Sequence, residues 1–466
     1  MPRKLISLLI IATILVSGFI LTGKYNSGER FVFYGDVMGY YVYLPSAFIY
    51  DNLQDMAQLP ADAGIPEGVL HYTSWSKQFG IEAGLPYWLN QYTYAVALME
   101  TPFFLAAHLY EKMAGLPANG YGSSYAAGIL ASSIVYSLLG LLLVYRILRR
   151  YFNHLHAFLA TVLVLMGTNM LWFTFAQAGM SHIPLFFLYA LLMYLTVRLY
   201  EQPSTWHFIA TGITAGLITI MRPSDILCLL IPLLYGVYNK TTLRQRWQFI
   251  RQHYGRITLA ALCFLLPAIP QILYWKLVTG QFFYDSYLGQ SFNWTDPKII
   301  EGLFSTGNGW LPYAPVMIFA LAGLPLRNNV RQWRLPVFVI LPLFIYVIYS
   351  WFCYNYINGL GSRPMLHMYP LLGLPLAAFI QFISRKGIAV KILFAAACLV
   401  GVGMVYSLSL LQAQRKYESD YAKPEFYLQM LFKNQLTYED MLVADIGQFQ
   451  PDTGKLKKIT TLAVND

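Results

Sequence analysis

The feature that most constrains this chain is a succession of apolar runs of spanning or near-spanning length. They lie at 123–145, 155–173, 184–200, 207–221, 225–238, 257–279, 311–326, 335–352, 365–383 and 388–410. A hydrocarbon core about 30 Å thick is crossed by about 20 apolar residues in a helix, the form in which one segment satisfies all its own backbone amides. Composition agrees: 57% of residues are hydrophobic and only 12% charged, with mean hydropathy +0.48. A soluble chain carries about twice that charged fraction. The expected fold class is therefore an all-α integral membrane protein. The net charge of +10 reads first as a bias of membrane loops, not as a nucleic-acid footprint. Cys228, Cys263, Cys353 and Cys398 are scattered without metal spacing, and three lie inside apolar runs, so they read as small buried hydrophobes.

An earlier run, Leu5–Leu21, follows Arg3 and Lys4 and lacks a clean small-x-small cleavage site. We read it as a retained first helix; its removal would subtract one span and leave the later orientation unchanged. Residues 24–91 are mixed and not spanning. The run 92–110 is long enough to cross but carries Glu100, Pro102 and His108. Loop charge decides its place. With 92–110 not crossing, loops 146–154, 201–206, 239–256, 327–334 and 384–387 fall on the side of the N-terminus and hold thirteen Lys and Arg, and the opposite loops 174–183, 222–224, 280–310 and 353–364 hold three. The positive-inside rule then makes 92–110 an external interfacial or re-entrant helix. The expectation is about eleven spans, with the N-terminus cytoplasmic and the C-terminus extracytoplasmic. Residues 1–410 form the polytopic domain, 24–122 its first external loop, and 411–466 a small external tail. No internal repeat is visible, which argues against an inverted-repeat transporter.

This topology sorts the unusual side chains. Asp36 stands in Phe33-Tyr34-Gly35-Asp36-Val37-Met38-Gly39-Tyr40-Tyr41, just after the first run. Its glycines read as room for a substrate to approach and its tyrosines as interface anchors. Arg222, in Met221-Arg222-Pro223-Ser224-Asp225, and Arg363, in Gly361-Ser362-Arg363-Pro364, fall on the same external side. Cations placed against the charge bias suggest a bound anion, with snorkelling to lipid phosphates as the plainer reading. One carboxylate and two arginines on one face suit transfer from an anionic lipid carrier. The arginines hold a phosphate and the charge developing on it as it leaves. The carboxylate takes the proton of an incoming hydroxyl. No nucleotide-binding loop is present.

These residues carry a likeness. The chain resembles the polyprenyl-phosphate-sugar-dependent membrane glycosyltransferases of GT-C fold, a superfamily that includes protein O-mannosyltransferases and the lipid A aminoarabinose transferases. Asp36 is similar to that family's acidic residue at the start of the first external loop. Gln91-Tyr92-Thr93 with Glu100-Thr101-Pro102 resembles its juxtamembrane segment, Met221-Arg222-Pro223-Ser224 its Arg-Pro element, and Gly302–Pro315 its Gly-rich loop. The resemblance implies a GT-C-like helix bundle with external juxtamembrane helices and inversion at the anomeric carbon. It also implies a polyprenyl-phosphate-linked sugar as donor and a glycan, lipid or protein acceptor in a cell envelope, most simply at the bacterial inner membrane. The pattern departs at Ala176–His182, where many relatives carry a second acidic residue and this chain offers His182. That puts an acid-pair metal site in doubt and leaves a divalent metal an open question.

Other candidates keep two readings each. His182 is a ligand, a phosphate donor or a satisfied interfacial histidine. Tyr40 is a substrate or metal contact or an anchor. Glu100 lines an acceptor groove or faces solvent on an interfacial helix, and Lys77 contacts phosphate or is a surface lysine. Asp285 shapes the site or caps its loop. The run Arg244–Arg251 reads as a basic amphipathic segment at the lipid surface. A lipid-linked-sugar flippase or other secondary transporter is the alternative function; it calls for polar residues at mid-membrane in broken helices.

Overall fold

A computed structural model of the chain describes residues 32–33, 35–56, 89–287, 290–326, 330–414, 416–420 and 422–433. Residues 5–21, Lys77 and residues 434–466 lie outside these. Apart from an isolated antiparallel bridge between Phe292 and Trp351, the regular elements among the described residues are helices, in the order α1 Gly35–Tyr41, α2 Tyr43–Phe48, α3 Ala95–Met113, α4 Ser123–Leu148, α5 His154–Met166, α6 Met170–Phe175, α7 His182–Glu201 and α8 Thr205–Met221. Then follow α9 Pro223–Leu234, α10 Lys240–Gln252, α11 Tyr254–Thr279, α12 Ile299–Phe304, α13 Trp310–Tyr313, α14 Met317–Gly323, α15 Arg331–Ser350, α16 Arg363–Ser384, α17 Ile388–Ala413 and α18 Pro424–Met430.

Six of these are long and apolar enough to cross a membrane: α4, α7, α11, α15, α16 and α17. Three shorter apolar helices, α5, α8 and α9, accompany them. The chain is an integral membrane protein of all-α class, as expected, but the expected eleven uninterrupted spans resolve differently. The run 155–173 splits at Gly167–Asn169 into α5 and α6. The run 225–238 begins as a 3-10 helix behind Pro223 and ends at Leu234. The run 311–326 breaks around Pro315 into α13 and α14. In each proline case the missing N–H ends or tightens a helix that apolar composition alone would continue.

The bundle is held by close backbone approaches. α4 packs along α3 and α7, α8 along α7 and α11, and α14 along α16. On α8, Gly212 and Gly216 lie one turn apart, and each faces a backbone carbonyl of α11, at Ala260 and Phe264. Small residues at four-residue spacing let two helices approach where lipid supplies no hydrophobic drive between them. Gly323 of α14 meets the Pro375 carbonyl of α16 in the same way. The four cysteines are free, and Cys228, Cys263 and Cys398 are buried, as small hydrophobes. α10 has no buried residue; Arg246 leaves it to lie 3.6 Å over the Tyr200 ring.

A side chain at Gly216 has no space but the Phe264 carbonyl. Gly216→Leu should therefore lower thermal stability in detergent by about 1–3 kcal/mol or more through overpacking. A melting temperature equal to the parent's would show that α8 and α11 do not rely on this contact.

Candidate active site

Two Arg-Pro pairs build the site. A residue before proline is pushed to extended backbone, and Arg222 is extended, with φ −146° and ψ 109°. Pro223 and Pro364 each open a 3-10 turn, where a missing N–H costs nothing. Arg222 is thus delivered at the junction of α8 and α9, and Arg363 at the first residue of α16. Their guanidinium carbons lie 5.6 and 5.9 Å from the centre of the same ring, Tyr356.

Asp36 joins them. Its Oδ2 is 2.9 Å from Nη2 of Arg363, and its Oδ1 accepts from the Tyr92 hydroxyl at 2.6 Å. The pair is mostly sheltered, with side chains 27% and 12% exposed. Gly35 sets up this placement with φ +53°, a conformation that favours glycine. Gly39 does something other than expected. The face where its side chain would stand is filled by the Tyr92 ring, so it makes room for a neighbouring tyrosine, not for a substrate. The tyrosines are likewise not interface anchors. Tyr40, Tyr41 and Tyr43 are buried, and their hydroxyls donate to Ser181 Oγ, to the Gly120 carbonyl and to the Tyr92 carbonyl. Burial, with Asp36 nearby, holds the Tyr40 and Tyr92 phenols above the ordinary tyrosine range, so both stay protonated donors at neutral pH. Tyr287, whose ring stacks edge-on to Tyr92, is raised by burial in the same way.

Behind the arginines runs a buried polar chain. Asp225 Oδ1 accepts from the Tyr189 hydroxyl at 2.9 Å and from His367 Nδ1 at 2.8 Å. His367 Nε2 lies 3.0 Å from His182 Nδ1. An ionised carboxylate only accepts, so His367 carries its proton on Nδ1 and accepts at Nε2 from His182 Nδ1–H. Neutral His182 is then left with Nε2 as an acceptor. Arg222 Nε approaches Asp225 Oδ2 at 4.0 Å, which ties this chain to the arginine site. His182 is thus a partnered histidine within the electrostatic reach of Arg222 and Arg363.

The residues expected at the site divide accordingly. Asp36, Tyr40, Arg222 and Arg363 converge, with His182 beside them. Glu100 does not join them. It is 1% exposed on α3, in the field of Tyr41 rather than of the arginines, and its Oε2 has no hydrogen-bond partner among the described residues, so it is not the solvated residue of the plainer reading. Lys77 lies outside the described residues. Asp285 accepts from the Tyr287 amide at 3.1 Å, which is a loop cap. A divalent metal does not fit the donor set at Asp36. Its carboxylate faces a guanidinium, His182 and His367 are bound to each other, and no group of three His, Cys, Asp or Glu among the described residues is placed to share an ion. Tyr92, Tyr356 and His367 also belong to the site; Tyr92 stands in the Gln91-Tyr92-Thr93 segment singled out above, whereas Tyr356 and His367 carry no sequence signal that separates them from other buried aromatics, and Tyr356 is locally unusual only in its φ of +45°.

The fold is that of an all-α membrane protein whose described residues gather a carboxylate and two arginines into one sheltered cluster. Residues 121–274, about a third of the chain, match the family described as dolichyl-phosphate-mannose-protein mannosyltransferase. No curated protein matches it at a significant level. Among solved structures it is similar to the archaeal oligosaccharyltransferase AglB of Archaeoglobus fulgidus in complex with an inhibitory peptide and a dolichol-phosphate, at 11% identity and TM-score 0.46. It is also similar to the apo form of the Archaeoglobus fulgidus oligosaccharyltransferase, at 12% identity and TM-score 0.47. The alignments cover 95% and 96% of this chain but only 60% of the oligosaccharyltransferase chains, so the chain spans three-fifths of their length.

Removing one member of a buried, hydrogen-bonded charge chain strands the others. His367→Leu should cost about 3–5 kcal/mol of stability, because Asp225 would keep its buried charge and lose its nearest donor. Unfolding in detergent measures this, and a loss below 1 kcal/mol would show the chain to be energetically idle.

Proposed function

We propose that the protein transfers a sugar from a polyprenyl-phosphate donor to a hydroxyl acceptor on the external face of the membrane. The observation that carries this reading is Arg363. It pairs with Asp36, yet among the described residues its buried Nε has no hydrogen-bond partner. A buried donor left unmet calls for a ligand atom, and a guanidinium fork beside a second arginine suits phosphate oxygens. The family match supports the donor class, since its description names a dolichyl-phosphate sugar.

In this reading the donor phosphate lies between Arg363 and Arg222, bordered by Tyr356. Asp36 Oδ accepts the proton of the acceptor hydroxyl. The acceptor oxygen forms the new bond at the anomeric carbon as the bond from that carbon to the phosphate oxygen breaks, with inversion. The electron pair leaves on the phosphate, where the two guanidiniums stabilise it. In the unloaded site Arg363 neutralises Asp36; a bound phosphate competes for that arginine and frees a carboxylate oxygen for the acceptor. His182 Nε2, held as an acceptor by His367, suits a hydroxyl of the donor sugar. The sugar, and whether the acceptor is a glycan, lipid or protein, are set by surfaces beyond these residues.

The test is transfer from a polyprenyl-phosphate sugar by purified protein in detergent, where no sealed compartment exists and a flippase has nothing to do. Asp36→Asn should still fold, with a lowered melting temperature because Arg363 loses its counter-charge, and lose about 10²–10⁴-fold in kcat, the usual contribution of a general base. Full activity in a folded Asp36→Asn protein would sink the assignment.

A further inference from the structure

The segment after α17 turns back onto the site. Residues 416–420 and 422–433 put Tyr417, Ala422, Phe426, Tyr427 and Met430 into the main hydrophobic core. Its polar contacts fall on two stretches: residues 306–313, through Thr306, Asn308, Pro312 and Tyr313, and the loop 353–362, which carries Tyr356 and leads directly into Arg363. Asp420 accepts the Asn358 amide on both oxygens, at 3.0 and 2.8 Å, and the Asn308 side-chain amide at 2.6 Å. Asn308 Oδ1 in turn accepts the Gly361 amide at 2.9 Å. Ser419 Oγ and Gln412 Nε2 both donate to the Gly359 carbonyl, at 2.6 and 2.8 Å.

The loop needs this support. Tyr356, Asn358 and Gly361 all have positive φ, at 45°, 61° and 69°, and so does Asn308 opposite them, at 61°. Non-glycine residues in that region persist only where surroundings over-determine them. Asp420 and Asn308 are 7% and 1% exposed, so the contacts are sheltered from water. Asp420 also feels the charge of Arg363. An arginine site that must hold a phosphate to within fractions of an ångström depends on the loop behind it.

We infer that Asp420 is a positioning residue of the site: with Asn308 it pins the loop 353–362, and thereby holds Tyr356 and Arg363 where they bind the donor phosphate. The inference rests on the reading of the site as a donor-phosphate site. It gives the described part of the C-terminal segment a role in donor binding that the sequence does not suggest.

A charge swap tests it. Asn308→Asp sets two carboxylates against each other across the 2.6 Å contact. Asp420→Asn in that background restores one donor facing one carboxylate and keeps an acceptor for the Asn358 amide. Two readouts are taken on purified full-length protein: hydrogen exchange at amides 358–361, and affinity for the donor. The latter is read as donor KM in transfer and as the Kd of a plain polyprenyl phosphate. Asn308→Asp should speed exchange in the loop and weaken donor KM and Kd about 10–100-fold, with kcat changed far less. The double variant should return both to near the parent. Asp420→Ala guards against a swap that fails to fold, and is expected to behave like Asn308→Asp. Folded variants that bind the donor as well as the parent overturn the positioning role alone. A parent that neither transfers sugar nor binds polyprenyl phosphate overturns the functional reading, and this inference with it.

Discussion

The structure turns on an ion pair between two distant parts of the chain. Asp36 belongs to a short helix near the start, Arg363 to the first turn of a late helix, and their side chains meet at 2.9 Å. Leaving either charge alone in so sheltered a place costs stability. The pair therefore helps fix where the short helix α1 docks on the bundle. Around it everything else is arranged to shape donors and acceptors: Tyr92 on the free oxygen of Asp36, Tyr356 beneath both arginines, and the Asp225–His367–His182 chain behind Arg222. The closeness that lets Asp36 neutralise Arg363 also makes them a unit that an anionic ligand can open.

The membrane class was legible in the sequence because apolar runs are a composition-level signal. The convergence of Asp36, Arg222 and Arg363 was legible for a different reason. Each stands in a distinctive setting, Asp36 in a Gly- and Tyr-rich stretch and each arginine before a proline, and the loop-charge expectation left few other cations beside them. What stayed hidden was pairing. Nothing in Ile357-Asn358-Gly359 says that an aspartate sixty residues later will bind it, since such a contact depends on how α17 returns. The uninterrupted runs at 155–173 and 311–326 looked like single helices because hydropathy does not see a break at Gly167 or Pro315. The glycines and tyrosines around Asp36 had the right importance and the wrong role. Gly39 serves the Tyr92 ring, and the tyrosine hydroxyls satisfy buried carbonyls and Ser181, a use that hydropathy cannot distinguish from a membrane belt.

The replacement of an expected second acid by His182 makes chemical sense in this arrangement. An acidic residue there would lose the hydrogen bond that His182 makes to His367 and add a second buried carboxylate to the chain that ends at Asp225. A histidine chained through His367 to Asp225 stays neutral and still offers a defined hydrogen-bonding atom. The cation that faces Asp36 is a guanidinium, fixed by the chain, and the site is built around it rather than around an ion drawn from solution.

The most direct measurement is the structure of the protein with a polyprenyl-phosphate donor bound, by electron cryomicroscopy in lipid. The phosphate should lie against Arg363 Nε and the Arg222 guanidinium, beside Tyr356, with the anomeric carbon turned toward Asp36. A donor phosphate seated elsewhere on the bundle, with the Asp36–Arg363 pair undisturbed, would contradict the account.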